Sequence, residues 1–498
     1  MSELKRAIVR GTFWSALSTF FSRGLRFLVT IVLARLLLPV DFGLVAMSSL
    51  VMDVAELLSD LGLGAALIQR KRLDDQHLVT CFWANQAMGA VLWVLTTAAS
   101  PLIAGFYHNP SVQPVLSVMA FNFLIAPIGS VPWVLLNREL RFKELMIAQS
   151  VATVVRGGVS LVLAWHGFGV WSLVWGPLAG TASGSIINWG FCRWRPKFGW
   201  SWSHFRELFR FGRNVFGERF LGYFSANTDY IVTGRVLGAT TLGIYNFSYQ
   251  LPHLVETHLA PIVNRVLFPI LSRVQDDRER LRCVYLQSLR WIAIVSVPCS
   301  VGLFVVAPEL VPFIYGAKWQ GVVQPLQILC LAGLLHALTT TVWMLQQAIG
   351  KPGIGFAWNA ATVPLIVVTL IFSSRWGIIG IAVTMLIVSV TLSLAIQHIT
   401  NRLIGLSWAR WIATVRPAVV AAIGMGLIVA AGRWMMLSEA CPSTVAVGIS
   451  IVLGIVSYAL LLIWQDRAVL DELGGFFGRK SKPAPQTVTP RVTASASL

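Results

Sequence analysis

The chain has 498 residues, 56% hydrophobic and only 12% charged, with a mean hydropathy of +0.71. Soluble domains carry about a quarter charged residues, so a water-soluble fold is excluded. The net charge of +18 would suggest nucleic acid in a soluble protein. In a polytopic membrane protein it follows from the bias of Lys and Arg toward the cytoplasmic side, and no nucleic-acid partner is expected.

The apolar runs are continuous rather than alternating, which excludes a transmembrane β-barrel and leaves helices. In chain order they predict about fourteen spans, near 11–36, 42–66, 79–107, 112–136, 145–165, 169–192, 214–235, 242–264, 291–315, 323–349, 354–374, 377–400, 412–434 and 444–464. Lys5, Arg6 and Arg10 precede the first run, but it is too long for a cleavable signal and no small-residue cleavage site follows. The odd-numbered connections hold only Arg35, Arg235, Lys318, Arg375 and Arg433; nearly all other cations lie at the termini and in the even-numbered connections. This bias predicts an inner-membrane, multi-pass protein with both termini in the cytoplasm. Residues 467–498 end in a stretch rich in Pro, Ser, Thr and Ala and read as a largely disordered tail. Cys81, Cys192, Cys283, Cys299, Cys330 and Cys441 have neither C-x-x-C nor metal-ligand spacing and read as unpaired thiols.

The sequence repeats itself. Ile31, Val32, Arg35, Leu37, Gly43 and Ser48 recur two hundred positions later as Ile231, Val232, Arg235, Leu237, Gly243 and Ser248. Each copy then reaches a paired-acid loop, Asp74-Asp75 or Asp276-Asp277, and a glycine after a Trp-containing junction, Gly167 or Gly377. The expected architecture is all-α: a six-helix lobe over 1–200, a second over 201–407, and two appended helices over 408–466. Six is an even number, so both lobes start on the same side. Two such parallel lobes around a cavity make a transporter architecture.

Charges within spans are costly and mark cavities. Arg23 and Arg26 lie on one face of the first span, Arg156 is in the fifth and Arg219 in the seventh. The guanidinium fork grips phosphate, so these four are candidate ligands of an anionic, pyrophosphate-bearing substrate. The competing expectation is that Arg23 and Arg26 pair with acids of the second span. Asp53, Glu56 and Asp60 on that span, with Asp229 and Glu256, are candidates for coupling to an ion. His253, His258 and His336 could titrate beside them. The basic, aromatic stretch from Trp200 to Gly212 resembles an interfacial helix on an anionic leaflet.

No Walker A loop, dinucleotide fingerprint, H-E-x-x-H or G-x-S-x-G in its proper context occurs, so a carrier without catalytic residues, metal or cofactor is expected rather than an enzyme. The run Gly11–Met47, with GLGAALIQ at Gly62–Gln69, RELRF at Arg138–Phe142, GFGVWSLV at Gly167–Val174, RWRP at Arg193–Pro196 and LFPILSRVQDD at Leu267–Asp277, resembles Wzx-type polysaccharide flippases. These belong to the colanic-acid branch of the multidrug/oligosaccharidyl-lipid/polysaccharide exporter superfamily. The resemblance implies a two-lobed carrier that moves undecaprenyl-pyrophosphate-linked oligosaccharide to the periplasmic leaflet by ion-coupled alternating access. Membrane lipids and the polymerase and export machinery would be its partners. An antiporter of small amphiphiles and a peptidoglycan-precursor flippase are the alternatives.

Overall fold

The computed structural model describes residues 2–59, 67, 74–351, 353–438 and 443–465. Asp60 and the C-terminal tail lie outside the described residues, as do the side chains of Arg219, Glu256 and His258. The described chain is helical and contains no strand. Eight stretches of it are long and apolar enough to cross a membrane.

Helix α1 is Ser2–Leu36 and α2 is Pro39–Ser59. After α3 (Asp75–Phe106) the predicted fourth span is broken: α4 (Val112–Met119), α5 (Asn122–Ile125), a 3-10 turn at Ala126–Gly129, and α6 (Ser130–Arg138). Pro127 lacks an N–H to continue the helical ladder, and a broken helix is tolerated at membrane depth where it lines a cavity. Helices α7 (Phe142–Trp165) and α8 (Val170–Phe191) follow.

The predicted seventh and eighth spans form one element, α9 (Trp202–Arg273), interrupted at Gly238 with φ +80°. Only glycine adopts that conformation at little cost. The chain reverses there, so Asp229 and Tyr230 meet Tyr245 on the returning limb. Asp277 then caps α10 (Arg278–Tyr315), accepting from the backbone N–H groups of Glu279 and Arg280 at 3.1 Å each. The remaining helices are α11 (Val323–Ala348), α12 (Gly353–Ser373), α13 (Gly377–Ile404), α14 (Trp408–Ser438) and α15 (Ser443–Gln465).

The two copies of the repeat meet at α2 and the returning limb of α9. A Cβ on Gly43 would overlap the Ala239 carbonyl, and a Cβ on Gly243 would overlap the Pro39 carbonyl. Two core clusters flank this crossing. One holds Phe42, Phe247, Tyr315 and Trp319; the other holds Leu242, Met47 and Tyr107. Phe42 and Leu242 are repeat counterparts, as are Met47 and Phe247. The halves therefore bury matching surfaces in matching places, the pattern of a two-fold contact.

Polar caps close the same end. Arg35 donates to the carbonyls of Ile314 at 3.0 Å and Phe313 at 2.5 Å, the last turn of α10. Lys318 donates in return to the carbonyls of Arg35 (2.9 Å) and Leu37, at the end of α1. The indole N–H of the buried Trp319 donates to the Ala34 carbonyl at 2.8 Å. Arg235, the counterpart of Arg35, bonds His108 and lies over the Phe106 ring at the end of α3. A helix C-terminus leaves carbonyls without partners and favours cations, so Arg35 caps α10 and Lys318 caps α1.

Candidate functional site

A cavity of about 510 Å³ opens among α1, α2, α3, the broken 122–138 segment, α7 and α8. Arg26, Arg156 and Glu56 line it, so α1, α7 and α2 each bring one of the candidate charges to the same space. Asn85, Asn122, Gln149 and Asn188, with Trp133, complete most of its polar and aromatic wall.

Local packing fixes the deep end. Gly176, Gly180 and Gly184 recur every fourth residue on α8, against Ser160, Arg156, Ala152 and Ala148 on α7. Small residues at this spacing let two membrane helices approach closely. A Cβ on Gly180 would stand 2.8 Å from Arg156 Cβ. The backbone of Arg156 is thus held against α8 while its guanidinium reaches the cavity. Arg26 Nε donates to the Ser22 carbonyl at 3.2 Å, which orients the fork. Neither Arg26 nor Arg156 forms an ion pair among the described residues, so two cations face one cavity with their fork donors largely available.

Arg23 is exposed and is not among the lining residues, although it shares a helix face with Arg26. Asp53 receives the Tyr223 hydroxyl at 3.4 Å, and the same hydroxyl donates to the Leu50 carbonyl at 2.9 Å. Among the described residues neither Arg23 nor Arg26 pairs with Asp53 or Glu56, and Asp60, the third acid of that expected pairing, lies outside them.

A second cavity, about 790 Å³, lies in the other half. Asp229, His253, His336, Tyr230 and Tyr249 line it. Asp229 is buried and accepts the Tyr245 hydroxyl at 2.6 Å. This arrangement can hold a cation or a proton beside a carboxylate fixed by a phenol. The described residues contain no cluster of His, Cys, Asp and Glu able to hold a metal ion.

Sequence reasoning singled out Arg26, Arg156, Glu56 and Asp229 by their charge within apolar runs. It missed the carboxamides, which come from four separate elements and share no spacing. It also used Arg35 and Arg235 as marks of the repeat and of topology, without foreseeing that Arg35 caps α10 and that Arg235 reaches His108.

Residues 32–324 match the family described as polysaccharide biosynthesis protein. The lipopolysaccharide biosynthesis protein WzxC of Escherichia coli is 30% identical over 395 residues, 78% of this chain and 80% of that one. The teichuronic acid biosynthesis protein TuaB of Bacillus subtilis is 28% identical over 466 residues, 93% of this chain and 96% of that one. Among solved structures, the lipid II flippase MurJ in an inward closed conformation is similar in fold. Its TM-score is 0.73 at 15% identity, over 92% of this chain and 100% of that one.

Proposed function

The chain belongs to the polysaccharide biosynthesis protein family, and from that premise we propose that it flips undecaprenyl-pyrophosphate-linked oligosaccharide repeat units across the bacterial inner membrane. It is a multi-pass transporter, and its termini stand on the cytoplasmic side. The two halves, 1–200 and 201–407, act as lobes, with 408–466 appended. The observation that carries this reading is the meeting of Arg26 and Arg156 in one cavity of the first half. A pyrophosphate offers several acceptor oxygens to two such forks, and the low-dielectric surroundings strengthen each bond. Arg23, exposed outside the lining, and Arg219, whose side chain lies outside the described residues, remain the further candidate cations.

On this reading the capped end, with Arg35, Arg235 and Lys318, faces the periplasm, and the conformation is closed on that side. The substrate's pyrophosphate enters from the inner leaflet, its sugars occupy the hydrated cavity, and its polyprenyl tail stays in lipid. Coupling to an ion falls to Asp229 in the second cavity, with Asp53, Glu56, Asp60 and Glu256 as the other candidate acids. A carboxylate that gains or loses a cation changes its charge in a buried place, which is a means of biasing one conformation over another. The export and polymerisation machinery would take the flipped unit.

The test is reconstitution. Purified protein in liposomes is given a fluorescent undecaprenyl-pyrophosphate oligosaccharide on one leaflet, and dithionite quenching follows its appearance on the other. Wild type accelerates flipping, and Arg26→Ala with Arg156→Ala abolishes the acceleration. Equal rates in protein-free and wild-type liposomes would overturn the reading.

A further inference from the structure

Beyond the two arginines, the first cavity has a neutral wall that includes an acceptor a phosphate cannot use. Asn188 is buried, yet its carboxamide Oδ1 meets no donor among the described residues. A buried acceptor left unpaired is costly. Ionised phosphate oxygens are acceptors only and cannot satisfy it. A hydroxyl or an acylated amine can.

The neighbours of Asn188 have the same character. Asn85 Nδ2 donates to Ser130 Oγ at 3.1 Å, and Ser130 Oγ donates to the Pro127 carbonyl at 2.8 Å. This chain fixes the Asn85 amide on the break between α5 and α6. Gln149 is exposed to the cavity two turns before Arg156 on α7, about 10 Å along the helix axis. Trp133 is 44% exposed on the same wall and presents a flat apolar face. Carboxamides supply a donor and an acceptor side by side, which suits adjacent hydroxyls. An indole face covers the C–H side of a ring while polar groups meet its rim.

We infer that Asn85, Gln149, Asn188 and Trp133 form a saccharide subsite, which binds the part of the substrate next to the pyrophosphate and adds affinity for glycosylated over bare polyprenyl pyrophosphate. This rests on the arginine pair holding the pyrophosphate. The neutral wall lies nearer the end where α7 begins and α8 ends, and the arginine of α7 lies deeper. An anionic group and a polyhydroxylated group joined to it would occupy the two zones together.

The experiment uses the full-length protein in lipid nanodiscs and two probes, undecaprenyl pyrophosphate and the same lipid carrying one N-acetylhexosamine, with affinities read by native mass spectrometry. Wild type prefers the glycosylated probe. Asn188→Leu and Trp133→Ala each weaken it about tenfold, the loss of one good buried interaction, and leave the bare lipid unchanged. Trp133→Phe, which keeps an aromatic face, retains most of the preference and guards against loss through misfolding. Arg156→Ala weakens both probes. If wild type binds both probes equally, or Asn188→Leu and Trp133→Ala weaken both alike or neither, the saccharide subsite is wrong. If Arg156→Ala leaves the bare lipid unaffected, the pyrophosphate reading fails instead.

Discussion

Gly43 packs against the Ala239 carbonyl while Gly243, its counterpart two hundred positions on, packs against the Pro39 carbonyl. Pro39 and Ala239 are themselves counterparts, so one contact is the image of the other. Neither glycine is there for its backbone freedom. Each is there because a side chain would hold the two helices apart.

Valine at Gly43 or Gly243 is therefore expected to prevent this closed arrangement. Backbone carbonyls cannot swing aside as a flexible side chain can, so the halves must separate at this end. In a cysteine-free background, Ala34→Cys, buried in the present state, should react with a membrane-impermeant maleimide several times faster when Gly43→Val is added. Export should fall sharply. Unchanged labelling would show that the crossing is not a closing contact.

The caps at the same end make a graded version of this prediction. Bonds from charged donors contribute about 1.5–3 kcal/mol each. Removing Arg35 or Lys318 frees carbonyls at the ends of α10 and α1. Arg35→Gln and Lys318→Met should each raise labelling of Ala34→Cys, by roughly tenfold if half of that energy separates the two states. The double variant should label faster than either. Arg433 is a contrasting case: it pairs with Glu309 at 2.5 Å and ties the appended α14 to α10, away from the contact between the two repeat copies. Arg433→Gln should lower stability without opening the seam.

Gly180 should matter through Arg156. Gly180→Val forces α8 away from the Arg156 backbone and moves the guanidinium. Transport should be lost although no charge has been removed. Gly158→Ala is the control, two residues from Arg156 on the same helix, with nothing within 4 Å of the added Cβ. It should leave transport intact and stabilise α7 by up to about 1 kcal/mol.

Asp229→Asn removes a charge while keeping the side chain's shape and an acceptor for the Tyr245 hydroxyl. The protein should fold and still bind the polyprenyl pyrophosphate probe, yet fail to respond to an imposed ion gradient in liposomes. Gradient-stimulated flipping that persists in Asp229→Asn would move the coupling role to another acid.

Much of this was legible in the sequence. Paired positions such as Arg35/Arg235 and Gly43/Gly243 exposed the repeat because Arg and Gly do not recur by apolar composition alone. Arg26 and Arg156 stood out because charge within an apolar run has few explanations. The rest depended on tertiary placement. Arg23 and Arg26 share a helix face in any helical drawing, but only Arg26 lines the cavity. The break across 120–129 was not anticipated in a span read as continuous from 112 to 136, and nothing local said that it would carry a cavity wall. Asn85, Asn122, Gln149 and Asn188 look like ordinary polar residues until four elements bring them together.

The most direct test of the central claim is made in cells. A strain lacking the chromosomal gene is complemented with wild type or with the Arg26→Ala, Arg156→Ala double variant, at matched membrane levels, and lipid-linked repeat units are counted in each leaflet. The account predicts that wild type restores surface polymer and the double variant leaves the units on the cytoplasmic leaflet. Normal surface polymer from the double variant would contradict it.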